Sequence, residues 1–213
     1  MTQLPNRPSA DTAASGKRSR PRRRLRKAGS DLEAIIAAAA HVFGERGYHA
    51  TSLDDIAERL GVSKPTIYYH VGNKEALLAE CLRRSLKDLM DSLDPLRNRP
   101  MTGADRLEQA VRYCVAAACT DLGRCVVRIP DHVLDRHRAE ILEIKGSVSA
   151  IFSELLSEGI NDGSLACHDH KLFGQLLRGL INSVGDWFQP GGKWTETYIS
   201  DAIVRMSVEA LRS

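Results

Sequence analysis

The chain has 213 residues, 43% hydrophobic and 27% charged, with a formal net charge of +3. That length holds one or two domains with a buried core, and the composition excludes collagenous, low-complexity and disulfide-scaffold classes. No apolar run approaches the roughly 20 residues needed to span a bilayer, and no apolar segment follows the basic N-terminus, so a cytoplasmic protein without membrane contact is expected.

Charge is uneven along the chain. Residues 1–30 hold nine Arg or Lys against one acid, Asp11, which is +8 of a total of +3 and leaves −5 for the remaining 183 residues. The run "KRSRPRRRLRK" and its Pro, Ser and Gly neighbours read as a disordered basic arm over residues 1–29. A solvated tail is the plain interpretation; the functional one is an arm that lies along DNA phosphates or enters a minor groove. On the functional interpretation, deleting residues 1–27 removes nine cations and should measurably flatten the salt dependence of DNA binding. An unchanged salt slope would mean that the arm is not on the DNA.

From Ser30 onward the apolar spacing is helical and no strand pattern occurs, so an all-α protein of about nine helices is predicted. The first helix opens at "SDLE", with Ser30 as cap and Glu33 returning the hydrogen bond. It carries Leu32, Ile35, Ile36, Ala39 and Phe43 on one face and ends at Gly47. The second starts after Ser52, buries Leu53, Ile56, Ala57 and Leu60, and stops at Gly61. The third spans Ser63 to about His70. Gly72 breaks the chain, Asn73 caps, and a long fourth helix runs from Lys74 to about Leu93. Further helices are predicted from Thr102 to Thr120, over 121–129, 134–158 and 171–187, and from 196 to 211 behind Thr195, with Trp194 and Ile199 placed for a hydrophobic staple.

The second and third helices form a helix-turn-helix. At 100° per residue, Ile67 and Val71 anchor the third helix, which turns Pro65 and Tyr69 away from the core with Thr66 and Tyr68 beside them. Tyrosine hydroxyls bond phosphates and threonine methyls touch thymine methyls. Ser63 and Asn73 leave amide-rich helix starts that attract phosphate, each beside a lysine, Lys64 and Lys74. Yet residues 31–82 carry four Arg or Lys against eight Asp or Glu, so DNA binding here depends on placement rather than bulk charge.

The stretch "ATSLDDIAERLGVSKPTIYYHVGNKEALL", with Phe43 and Gly47 before it, resembles the DNA-binding domain of the TetR family of transcriptional regulators. Val71 stands where that family usually has Phe. The resemblance implies a helix-turn-helix domain over residues 30–75 and a ligand-binding and dimerisation domain over 76–213. It also implies a homodimer on double-stranded DNA with a palindromic operator, released by a small-molecule effector. The implied DNA contacts are Thr51, Ser52, Lys64, Pro65, Thr66, Tyr68, Tyr69 and Lys74.

In the C-terminal half, the helix over 171–187 is apolar on most of its circumference. With the last helix it is expected to form a dimer interface through Leu177, Ile181, Val184, Ile203 and Met206. "WFQPGG" resembles regulators of lipid or acyl-CoA metabolism. An effector pocket is expected near Tyr113, Cys114, Ala117 and Trp187, with Arg124 and Arg128 for phosphates. Rival classes are a metal- or redox-responsive regulator using Cys114, Cys119, Cys125, Cys167, His168 and His170, and a helical small-molecule binder without regulatory role. No standard zinc spacing, P-loop, nucleophile elbow or dinucleotide fingerprint occurs, so no metal, cofactor or catalytic residue is implied.

Overall fold

The computed structural model describes residues 28–127 and 136–213, so the basic arm up to Lys27 and Arg128 lie outside the described residues. Among the described residues nine α-helices follow one another: α1 Ala28–Arg46, α2 Leu53–Leu60, α3 Lys64–Val71, α4 Lys74–Leu93, α5 Gly103–Cys119, α6 Asp121–Val127, α7 Arg138–Asn161, α8 His170–Trp187 and α9 Glu196–Val204. A 3-10 turn, Asp94–Asn98, joins α4 to α5, and a π turn, Arg205–Glu209, follows α9. No strand occurs among the described residues, which makes the fold all-α. A lone antiparallel bridge between Leu165 and Arg212 ties the C-terminus to the α7–α8 loop.

The helix starts follow from local chemistry. Ser52, Asn73, Thr102, Asp169 and Thr195 each accept from a backbone amide of the first helical turn, which satisfies donors that have no partner inside the helix. The expected cap at Ser30 is a correction: α1 starts two residues earlier, and the Glu33 carboxylate reaches across to Arg84 at 2.6 Å. The Trp194 ring stands edge-on against Trp187 with centroids 6.0 Å apart.

Two apolar clusters hold the molecule. The first joins α1, α2, α3 and the N-terminal half of α4 through Ile35, Phe43, Ile56, Ile67, Leu78 and Leu82, and it extends to Cys125 of α6 and Ile141 of α7. The second is built on α5, whose Leu107, Ala110, Val111, Val115 and Ala118 face α7, α8 and α9. Helix α4 serves both clusters, since Leu77 to Leu86 fall in the first and Leu93 in the second. A boundary drawn at residue 75 therefore cuts off a helix half that the N-terminal core needs.

Candidate nucleic-acid interface

Helix α2 is fixed at both ends. The Ser52 hydroxyl accepts from the Asp55 amide at 3.2 Å while the Asp55 carboxylate accepts from the Ser52 amide at 2.7 Å, a complete capping box. Those bonds from Ser52 hold the Asp55 carboxyl below its usual range. At the other end Gly61 takes φ +63, a left-handed conformation that a side chain would strain, and its amide closes on Ala57 and Glu58. The chain can then turn and start α3 after Ser63.

Helix α3 is eight residues long, too short to persist alone. Ile67 is its one fully buried side chain, and Val71 packs half-buried on the same cluster. The remaining positions turn outward: Lys64, Pro65, Tyr68 and Tyr69 are exposed, Tyr69 to 85%. Thr66 is half-buried, and its hydroxyl shares a 2.9 Å hydrogen bond with Ser63. An exposed tyrosine pair on a helix held from behind is a surface made for contact. Isolated large apolar side chains are ordinary on a protein surface, but here they occupy nearly the whole free face of the helix.

The cations beside α3 are held in place. Lys64 forms an ion pair with Asp54 of α2, and that hydrogen bond raises its pKa. The Lys74 ammonium stands 4.1 Å from the Tyr48 ring centroid; burial lowers its pKa, against an opposing pull from Asp55. Lys74 is the first residue of α4, where Asn73 accepts from the Ala76 amide at 2.8 Å. A backbone phosphate arriving there meets both the ammonium and the start of a helix.

Thr51 is the exception among the nominated contacts. It is 3% exposed, and its hydroxyl donates to the Gly47 carbonyl at 2.8 Å. It ties the α1–α2 turn from inside and is not available to a base. Ser52 is exposed, but its hydroxyl is engaged with Asp55. Sequence reasoning missed Tyr48, which carries Lys74, and Asp54, which holds Lys64. The latter pair lies ten positions apart across the turn, a separation that a single-helix pattern does not flag.

The C-terminal candidates are redistributed. Leu177, Ile181, Val184 and Ile203 are buried inside the protomer in the α5 cluster, so they cannot supply an interface. Met206 is 65% exposed, and the exposed apolar partners on the same elements are Leu172, Leu176, Trp187 and Tyr198. Cys114 is buried in the core and Tyr113 packs half-buried on it; Arg124 is buried against Asp121. Ala117 is half-buried, and its carbonyl accepts from Thr120. Among the described residues no group of three or more His, Cys, Asp or Glu is placed to hold a metal ion, and no helix is long and apolar enough to cross a membrane.

A short outward-facing recognition helix, braced by two others and continuous with a second helical domain, defines a helix-turn-helix DNA-binding regulator. The family model described as bacterial regulatory proteins, tetR family, matches residues 35–81, and the tetracyclin repressor-like C-terminal domain matches residues 100–211. The chain belongs to the TetR family. It is 27% identical over 185 residues to the HTH-type transcriptional repressor KstR2 of Rhodococcus jostii, covering 84% of this chain and 90% of that one. The fold matches the ketosteroid transcriptional regulator KstR2 of Mycobacterium tuberculosis with a TM-score of 0.76 at 21% identity, over 89% of this chain and 96% of that one. It also matches AibR in complex with isovaleryl coenzyme A and operator DNA with a TM-score of 0.71 at 23% identity, over 83% and 97%.

Proposed function

We propose that this regulator is a repressor that sits as a homodimer on a palindromic operator in the bacterial cytoplasm, leaves it when a small molecule binds the C-terminal domain, and catalyses no reaction. The observation that carries the DNA reading is the α3 geometry: one buried anchor, Ile67, with Lys64, Pro65, Tyr68 and Tyr69 exposed around it. A helix presented this way fits a major groove, with Tyr69, Tyr68, Pro65 and the Thr66 methyl toward base edges and Lys64 and Lys74 toward phosphates. To reach a phosphate, Lys64 exchanges its Asp54 partner for DNA. The Asp54 carboxylate, which pairs with Lys64 across α2 and α3, also discourages non-specific binding.

The test separates base contacts from phosphate contacts. Tyr69→Ala and Thr66→Ala should leave thermal stability nearly unchanged and weaken operator binding by about 1–3 kcal/mol, with relaxed preference at particular positions. Lys74→Ala should weaken binding evenly across sequences. Folded Tyr69 and Thr66 variants that bind like wild type would remove α3 as the reading element.

A further inference from the structure

The two lysines beside α3 are held by different chemistry. The Lys64 ammonium is paired with the Asp54 carboxylate, so its charge is already answered inside the protein. Lys74 is held by a ring instead: its ammonium stands over the face of Tyr48, 4.1 Å from the centroid. Asp55, the carboxylate that acts on Lys74 from a distance, is engaged elsewhere, since it accepts from the Ser52 amide and hydroxyl at 2.7 Å each.

The Tyr48 ring is itself fixed. Gly47 ends α1 in the left-handed region, at φ +80, and its amide closes on the Phe43 carbonyl at 2.9 Å. The turn brings the half-buried Tyr48 ring back to 5.7 Å from the ring of Phe43, which is fully buried. Thr51 secures this turn twice. Its hydroxyl donates to the Gly47 carbonyl at 2.8 Å, and its amide donates to the Tyr48 carbonyl at 3.2 Å. The threonine that is closed to DNA thus braces the residue that carries Lys74.

A ring and a carboxylate hold a cation with different consequences. A carboxylate cancels the charge and must be given up before a phosphate can take its place. An aromatic face attracts the ammonium through its quadrupole and carries no net charge, so the cation keeps its attraction for an anion. Lysine also has a flexible four-carbon stem, and a stem already laid against a ring has lost part of its freedom before DNA arrives.

We propose that Tyr48 is a positioning residue for DNA binding: its ring holds the Lys74 ammonium, charged and available, where a backbone phosphate meets the start of α4. The inference deepens the DNA reading above and rests on it. Tyr48 reads no base in this role, so its effect is blind to sequence.

The full-length protein selects an operator duplex from random sequence, and its variants are titrated on that duplex and on a scrambled one. Tyr48→Phe keeps the ring face and should bind within about twofold of wild type. Tyr48→Leu removes the face, whereas Tyr48→pentafluorophenylalanine keeps the ring's shape and reverses its quadrupole. Both should weaken binding about five- to thirtyfold on either duplex, the square of the roughly two- to fivefold effect of one exposed cation–π contact, because a homodimer carries two. Either change added to Lys74→Ala should cost less than about twofold more, since no ammonium is left to place. A pentafluorophenylalanine variant that binds like Tyr48→Phe overturns the role of the ring. So does a Tyr48→Leu loss that persists undiminished beside Lys74→Ala, which would mark it as a packing effect. Tyr48→Phe falling as far as Tyr48→Leu would assign the effect to the hydroxyl and overturns the proposal too. Lys74→Ala binding like wild type overturns the phosphate placement and Tyr48's role with it, and failure to select any duplex overturns the DNA reading itself.

Discussion

Replacing Leu176 or Met206 by arginine is expected to give folded protomers that no longer pair. Both side chains are apolar and about two-thirds exposed, at 64% and 65%, on the two elements that cover the outer side of α5. Leu172 and Trp187 of α8 and Tyr198 of α9 are further exposed apolar side chains. Surface of this kind marks an association site, and in a symmetric dimer each arginine would enter the interface twice. Removing an unpaired charge from water costs several kcal/mol per ion, more than one apolar contact returns. The thermal midpoint of the protomer should change little, because both positions lie outside the two apolar clusters. Operator affinity should fall by about two to four orders of magnitude, the factor lost when two linked half-site contacts become independent. Sedimentation together with operator titration measures both. Intact dimers in both variants would place the interface elsewhere. Leu177→Arg is the control: at 2% exposure it buries a charge in the protomer's own core and should unfold it, which says nothing about pairing.

That contrast shows where the sequence was legible and where it was not. Features set by residues within one turn of each other were readable: the caps at Ser52, Asn73, Thr102 and Thr195, and the left-handed stop at Gly61. The inward turn of Ile67 and outward turn of Tyr69 were readable for the same reason, because an eight-residue helix with one strong anchor has one way to face. Helix α8 is different. It is apolar around most of its circumference, and periodicity cannot say which stripe meets its own α5 and which meets a partner. The stripe through Leu177, Ile181 and Val184, expected at the interface, lies in the core. Thr51 and Ser52 show a subtler limit: both suit a helix start, and only the fold decides that one hydroxyl turns to Gly47 and the other to Asp55. The cleft between the end of α5 and the α8–α9 loop was legible in part: "WFQPGG" supplies Phe188, Pro190, Gly191 and Gly192 of its lining, whereas Cys119 and Trp194 are 75 positions apart and belong to separate periodic patterns. Pocket candidates nominated near it, Tyr113 and Cys114, fall on the packed side of α5.

Ile67→Ala should produce the largest loss of stability of any substitution in α3, roughly 2–5 kcal/mol for a fully buried branched side chain. The residue is completely buried, among Ile35, Phe43, Ile56 and Leu78 of the N-terminal cluster. Truncating it removes apolar contact and leaves a void that α1, α2 and α4 can fill only by shifting. The helix has little else to fall back on. Its start lacks a side-chain cap bond to the backbone, because Ser63 bonds with Thr66 instead, and its second anchor, Val71, is only half-buried. Eight residues of helix cost more to nucleate than their hydrogen bonds return without packing. The variant should therefore weaken binding to operator and to unrelated DNA together, whereas Tyr69→Ala leaves the fold and alters the choice of sequence. Thermal melting combined with hydrogen exchange of the α3 amides distinguishes the two. In Ile67→Ala those amides should lose protection while the α5 amides, in the other cluster, keep theirs. Should α3 remain as protected as in wild type, its position would have to be fixed by contacts other than this one side chain, and the outward display of Tyr68 and Tyr69 would need a different physical cause.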